Sequence, residues 1–293
     1  MDCFRNIGLV GRQGSTPVLQ SLEHLIPFLQ SQGLNVIIDK RISDVMPNHG
    51  LQQSTVKMMG QSCDLVIVVG GDGSLLGAAR ELSQSDVLVL GINRGNLGFL
   101  TDIAPDEIEQ KVGEVLRGDY HAETRFLIEA QVTRDTELVG TGAALNDIIL
   151  HPGQAARMIR FELYIDGQFV YSQRSDGLIV STPTGSTAYA LSGGGPIMHP
   201  RLDALVLVPI FPHTLTSRPI VVDGNVDIKI VVAERNDTHP LISCDGQHQI
   251  PCLPGDIISI RKKPHRLKLI HPRSYDYYES CRSKLGWGSK LGE

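Results

Sequence analysis

The apolar positions of the first 120 residues fall into short runs separated by longer amphipathic stretches. Ile7-Gly8-Leu9-Val10 reads as a strand. Thr16 to Gln32 places Leu19, Leu22, Leu25, Ile26 and Leu29 at helical spacing, and Gly33 stops the pattern. A strand from Leu34 to Asp39, a Pro/Asn/Gly loop and a helix near Leu51 to Met59 follow. Leu65-Val66-Ile67-Val68-Val69 has no polar interruption, as expected of a strand buried on both faces and central in its sheet. Ser74 to Leu82 then reads as a helix, Val87 to Ile92 as a strand and Pro105 to Leu116 as a helix. This β-α alternation predicts an open, largely parallel α/β (Rossmann-like) sheet.

Beyond about residue 120 helical periodicity almost disappears. Phe126 to Val132, Ala143 to Leu150, Ile159 to Ile165 and Phe169 to Ser172 read as strands, with Asp166-Gly167 a two-residue hairpin signal. Ile179-Val180, Leu205 to Val208, Val226 to Val232, Ile242 to Cys244, Ile257 to Ile260 and Leu267 to Ile270 continue the series. The chain is therefore expected to be α/β + β, an open α/β domain followed by a predominantly β one.

Composition narrows the function classes. Of 293 residues, 41% are hydrophobic and 20% charged, which excludes a disordered or fibrous chain. A formal charge of −5 argues against nucleic acid as principal ligand. Cys3, Cys63, Cys244, Cys252 and Cys281 show no C-x-x-C spacing and no zinc-finger partner, so free thiols in a reducing compartment are expected. The N-terminus carries no signal-peptide pattern, and no window approaches the roughly 20 apolar residues of a membrane span. A cytoplasmic protein without membrane contact is the expectation. The last 33 residues hold nine Lys/Arg against three Asp/Glu, either a solvated surface or a face for another subunit.

The densest chemical signal is Val69-Gly70-Gly71-Asp72-Gly73-Ser74, where the most hydrophobic strand meets a helix. Glycines there let backbone approach a ligand, and helix N–H groups suit phosphate oxygens. An acid among them fits a group that takes the proton of a hydroxyl being phosphorylated, or one that holds a metal; the plain alternative is a turn with Asp72 as helix cap. No G-x-x-x-x-G-K-[ST] exists, and Asn93-Arg94 stand where a dinucleotide fingerprint needs an acid. Gly91 to Phe99 follows the next strand and should shape the same crevice, with Phe99 either stacking on a base or sitting in the core. Asn146-Asp147 suits ribose hydroxyls or forms an Asx-turn. The stretch from Arg174-Ser175-Asp176-Gly177 through Ser181-Thr182-Pro183-Thr184-Gly185-Ser186-Thr187-Ala188-Tyr189 to Pro196 is too rich in small hydroxylated residues for a core, and reads as a polar ligand wall. Arg174 and Asp176, two apart on a strand-like segment, should share a face. Arg157 and Arg174 are the candidate cations for phosphate charge, against a plain surface role.

Gly70-Gly71-Asp72-Gly73, Asn146-Asp147, Ser175-Asp176-Gly177 and Thr182 to Tyr189, in this order, resemble NAD kinase of the bacterial type. The glycine motif alone is shared with lipid kinases and phosphofructokinases; the later motifs are more specific. The resemblance extends over Gly91 to Asp102 and over His271-Pro272 to Trp287, and Asp147 stands where the family often has Glu. It implies domains at 1–120 and 121–270, the second built of layered sheets and binding NAD, with a segment 271–293 packing back on the first. It further implies phosphoryl transfer from ATP to the 2′-hydroxyl of the adenosine ribose of NAD, giving NADP, with a divalent metal such as Mg whose ligands stay unassigned. Asp72 would be the acid/base beside Gly73, Asn146, Asp147 and Asp176 would contact NAD, and Thr187, Ala188, Tyr189, Ala190, Leu191 and Ser192 would wall the dinucleotide. Arg157, Arg174 and Gln247 are carried over by position, and a homodimer or homotetramer is implied. The rivals are a lipid kinase and an NAD-binding sensor without turnover.

Overall fold

Leu65–Gly70 forms a strand in which every residue is buried, and its neighbours on both sides run parallel to it. The computed structural model describes residues 4–46, 49–95, 98–153, 157–236 and 238–287. Two compact units emerge, one of residues 1–124 with 267–293 and the other of 125–266.

In the first unit the elements are β1 (Asn6–Gly11), α1 (Thr16–Ser31), β2 (Asn35–Asp39), α2 (Lys40–Ser43), β3 (Gln52–Ser54), α3 (Val56–Ser62), β4 (Leu65–Gly70), α4 (Asp72–Leu82), β5 (Leu88–Asn93) and α5 (Ile108–Leu116). The strands lie in the order β3-β2-β1-β4-β5 and all pair in parallel. Strand order reverses between β1 and β4, so the carboxyl end of β4 sits at a topological switch point, where open α/β sheets bind ligands. Lys268–Ile270 adds a further parallel partner to β5. Leu22, Leu25 and Leu29 of α1 pack with Ile7, Leu9, Ile67 and Ile270 into this unit's core.

The helix expected near Leu51 to Met59 is corrected in part. Gln52–Ser54 pairs with Ile37–Asp39 as a short parallel strand, and the helix starts only at Val56, where the Thr55 side chain accepts from the Met58 N–H. Gln52 and Gln53 are exposed on an edge strand, which hides the apolar alternation that marks buried strands. Pro47 and Asn48 of the preceding loop lie outside the described residues.

The second unit runs from within β6 (Tyr120–Arg134) through β7 (Glu137–Ala144), β8 (Asp147–His151), β9 (Ile159–Ile165), β10 (Gln168–Ser175) and β11 (Gly177–Ser181). It continues with α6 (Tyr189–Ser192), β12 (Ala204–Ile210), β13 (Ile220–Asp223), β14 (Ile228–Val232), β15 (Leu241–Cys244), β16 (His248–Pro251) and the first part of β17 (Ile257–Pro272). One sheet is antiparallel in the order β13-β12-β11-β8-β15-β16. The other joins β10, β9, β14 and β17, with β6 and β7 paired beside β17. Apolar side chains of both, among them Ile148, Val180 and Leu207 from one and Phe161, Ile230 and Ile258 from the other, form a shared core. The hairpin β9–β10 turns through Asp166 at φ 48° and Gly167 at φ 76°, the left-handed pair that a two-residue turn of this kind requires.

Ala143 to Leu150, expected as one strand, is two. The Asp245 carboxylate accepts the N–H groups of Leu145, Asn146 and Asp147 at 3.1, 2.8 and 3.4 Å, which draws these amides out of the sheet ladder between β7 and β8. The last helix, α7 (Tyr277–Leu285), belongs to the first unit and is capped by Asp276, whose carboxylate accepts from the Tyr278 N–H.

Candidate active site

In the first unit Gly71 is the N-cap of α4 and Asp72 its first residue, two positions earlier than the pattern suggests. The Asp72 carboxylate does not cap its own helix. It accepts from the backbone N–H of Phe99 at 2.8 Å, from that of Leu100 at 3.1 Å and from the Thr101 hydroxyl at 3.1 Å. Three of the roughly four acceptor positions of a carboxylate are thus used to fix its orientation. Gly98 makes this approach possible, because a β-carbon there would collide with the Asp72 and Thr101 side-chain oxygens. Lys284 of α7 stands 3.9 Å from Asp72 and 4.3 Å above the Phe99 ring, while Tyr277 tilts against the same ring at 6.4 Å. Asn96 and Leu97 of the Gly91–Phe99 stretch lie outside the described residues.

The loop that serves Asp72 is anchored from behind. Asn93 donates to the Thr101 carbonyl at 3.2 Å, and the buried His271 lies between Asp102 at 3.1 Å and Glu123 at 3.0 Å, stacked on Tyr275 at 4.0 Å. Burial opposes a charge on His271, yet its two carboxylate bonds outweigh burial and raise its pKa above the ordinary value.

In the second unit Asn146 and Asp147 sit at the start of β8. The Asn146 backbone is held by Asp245 on its N–H side and by the Thr182 N–H (2.9 Å) and Ser181 hydroxyl (3.1 Å) on its carbonyl. Among the described residues its side-chain oxygen is buried without a hydrogen-bond partner, so Asn146 forms no Asx-turn. Asp147 is 4% exposed, and burial, reinforced by Asp245, pushes its pKa up to about 7. Because the folded chain then holds a proton that the unfolded chain releases near 3.8, this group makes stability fall as pH rises from about 4 to about 7. The Tm gap between Asp147→Asn and the parent chain should widen in the variant's favour across that window; a gap independent of pH would contradict the burial argument.

The hydroxyl-rich stretch is corrected in an instructive way. Ser181, Thr182, Thr184 and Ser186 are buried, not ligand-facing. Thr182 donates to the Leu145 carbonyl at 2.6 Å, Ser186 to the Pro183 carbonyl at 2.7 Å, and Thr184 accepts from the buried Arg125 at 3.2 Å. Small hydroxyls serve this core because each finds a hydrogen-bond partner, backbone for Ser181, Thr182 and Ser186 and the Arg125 guanidinium for Thr184. Accessible surface begins at Thr187 and Ala188; Tyr189 is 48% exposed, Leu191 is half-buried, Ser192 is exposed and Ala190 is buried. Arg157, Asp176, Tyr189, His151, Phe211 and Ser243 line a cavity of about 520 Å³. Arg174 does not join Asp176 there: β10 ends at Ser175, so the strand alternation stops before Asp176, and Arg174 lies exposed opposite Arg160. Gln247 is exposed in the β15–β16 turn, its N–H bonded to the Cys244 carbonyl at 3.0 Å.

Thr101, Asp245 and Lys284 were not singled out by sequence reasoning. Asp245-Gly246 carries a turn signal that marks the hairpin but not the carboxylate's reach to Asn146. Lys284 carries no local signal, since 212 positions in the chain separate it from Asp72.

Residues 7–120 match the ATP-NAD kinase N-terminal domain and residues 145–272 the ATP-NAD kinase C-terminal domain. NAD kinases of Pseudomonas putida and Azotobacter vinelandii are each 63% identical over 292 residues, covering 100% of this chain and 99% of theirs. The chain belongs to the NAD kinase family. Among solved structures, yeast NADH kinase complexed with NADH superposes with a TM-score of 0.90 at 25% identity, covering 99% of this chain and 90% of that one. An NAD kinase from Archaeoglobus fulgidus in complex with ATP gives 0.70 at 25% identity, covering 96% and 97%. The α/β + β architecture expected from the pattern is thus that of an NAD kinase.

Proposed function

We propose that this NAD kinase moves the terminal phosphoryl group of ATP onto the 2′-hydroxyl of the adenosine ribose of NAD, giving NADP and ADP, with Asp72 taking the hydroxyl proton. The observation that carries the assignment is the Asp72 carboxylate, oriented by three donors at the amino end of α4 and the carboxyl end of β4. A ribose hydroxyl is a very weak acid, so its proton passes to Asp72 as the oxygen attacks phosphorus rather than before. Gly73, exposed beside it, leaves room for phosphate oxygens at the helix terminus.

No group of three or more His, Cys, Asp or Glu side chains among the described residues is arranged to hold a metal ion. A Mg ion would be carried mainly by the nucleotide phosphates and water, as Mg commonly is. When bound it neutralises phosphate charge; the chain's own contribution is position and proton transfer.

In the second unit Asn146 and Asp147 are the proposed ribose contacts, with Thr187 to Ser192 flanking the dinucleotide. Asp176 and Arg157, together on the cavity, provide an anion for the nicotinamide cation and a cation for phosphate. Arg174 and Gln247, carried over from the family pattern by position, would act from the solvent side, and Phe99 remains a candidate for stacking on a base. Replacing Asn146 or Asp147 by alanine should weaken NAD binding by about 0.5–3 kcal/mol each, the worth of lost hydrogen bonds, with the fold retained. Calorimetric titration with NAD beside a melting curve checks this; unchanged affinity with a large fall in Tm would make both residues structural.

A cytoplasmic homo-oligomer completes the reading. Cys63, Cys244, Cys252 and Cys281 are buried free thiols, compatible with a reducing compartment. No described helix is long and apolar enough to cross a membrane. Phe211 at 77% and Leu215 at 94% exposure are apolar surface of the kind subunit contacts cover.

A further inference from the structure

The glycine loop Gly70–Gly73 and the loop Gly98–Asp102 contain no lysine or arginine. A site that receives a nucleotide triphosphate beside a carboxylate nevertheless needs positive charge, since Asp72 and the phosphates repel. Arg94, next along from β5, is engaged with the Ser21 hydroxyl. The cation that reaches Asp72 comes from the far end of the chain, as Lys284 on α7.

Its surroundings are unusual for a structural lysine. The ammonium lies over the face of Phe99 at 4.3 Å and stands 3.9 Å from the Asp72 carboxylate, beyond hydrogen-bond distance. No hydrogen bond uses any of its three N–H donors among the described residues. The side chain is 22% exposed, so water satisfies those donors only in part. Burial pulls the Lys284 pKa below the ordinary lysine value while Asp72 acts against it. The helix that presents it is well seated. Asp276 caps α7, and Arg282 bonds both Glu279 and Asp276 within it. Lys284 is therefore carried on a fixed element and left with donors to spare.

We propose that Lys284 is a substrate-contacting residue, donating to the terminal phosphate of ATP beside Asp72. This rests on the reading that ATP phosphates reach the glycine loop. The ammonium would exchange its distant approach to Asp72 for phosphate oxygens, while the acceptor position that the Phe99, Leu100 and Thr101 donors leave on the carboxylate stays open for the ribose proton. The arrangement gives the C-terminal helix a part in catalysis that neither glycine loop can supply from its own residues.

The test is calorimetric titration of the full-length protein with the non-transferable analogue β,γ-imido ATP and Mg, with no NAD present. Lys284→Met should weaken binding at least about 10-fold, as expected for a lost charge-assisted hydrogen bond. Lys284→Arg should bind within about threefold of the parent chain, because it restores a cation. Steady-state kinetics should show KM for ATP rising in Lys284→Met while KM for NAD stays within about twofold. Asp72→Asn should bind the analogue as well as the parent chain or better, having lost one negative charge. If Asp72→Asn keeps its turnover but Lys284→Met loses the analogue, the proton-acceptor assignment fails and the Lys284 proposal stands. Analogue binding by Lys284→Met equal to that of the parent chain would overturn the proposal. So would a loss that Lys284→Arg fails to restore and that accompanies a fall in Tm, which would make Lys284 a helix anchor.

Discussion

Asp72→Asn will slow NADP formation by at least about 10²-fold, the usual scale for removing a general base. The amide is nearly isosteric, so α4 and its glycine cap remain. What changes is the set of acceptors. Phe99 N–H, Leu100 N–H and the Thr101 hydroxyl all donate to Asp72, and an amide can receive them only through its single oxygen. The variant therefore loses both the proton acceptor and part of the network that aims it. NAD affinity should change much less, because Asn146 and Asp147 belong to the other unit. Single-turnover rates with saturating ATP and NAD give the chemical step directly, and near-parental turnover would remove Asp72 from proton transfer.

The second large effect is expected at a residue that performs no chemistry. Gly98→Ala places a methyl group where the Asp72 and Thr101 oxygens now lie, far inside van der Waals contact. These atoms cannot yield independently. Thr101 is fully buried, and its carbonyl is held by Asn93. The carboxylate must swing away, and displacements near 1 Å at a reacting centre commonly cost on the order of 10²-fold in rate. We expect kcat to drop at least about 10-fold, with KM for NAD little affected and the fold retained. Parental kcat in a correctly folded Gly98→Ala protein would show that the geometry around Asp72 is not that required for turnover.

Both effects turn on contacts that a linear pattern conveys unevenly. Leu65 to Val69 is legible as a central strand because burial on both faces demands an unbroken apolar run, and the structure buries all of it. Asp166-Gly167 is legible because a two-residue turn needs two left-handed residues, which it has. Gln52–Ser54 is not, since an exposed edge strand carries no apolar alternation to read. The hydroxyl-rich loop misleads for a deeper reason. Ser181, Thr182 and Ser186 are polar by type yet satisfied by backbone groups in the interior, so composition alone assigns them to a ligand wall. Asp72 is visible from its glycines, whereas what orients it is not. Thr101 comes from a later loop and Lys284 from the last helix, and only the fold brings them to one carboxylate.

Phosphoryl transfer to NAD through Asp72 is tested most directly by the simultaneous quantitation of ADP and NADP produced by the purified protein from ATP, Mg and NAD. One NADP is expected for each ADP with the intact chain, and both products should be suppressed together in Asp72→Asn. ADP released without NADP, or NADP formation that persists undiminished in Asp72→Asn, would contradict that assignment.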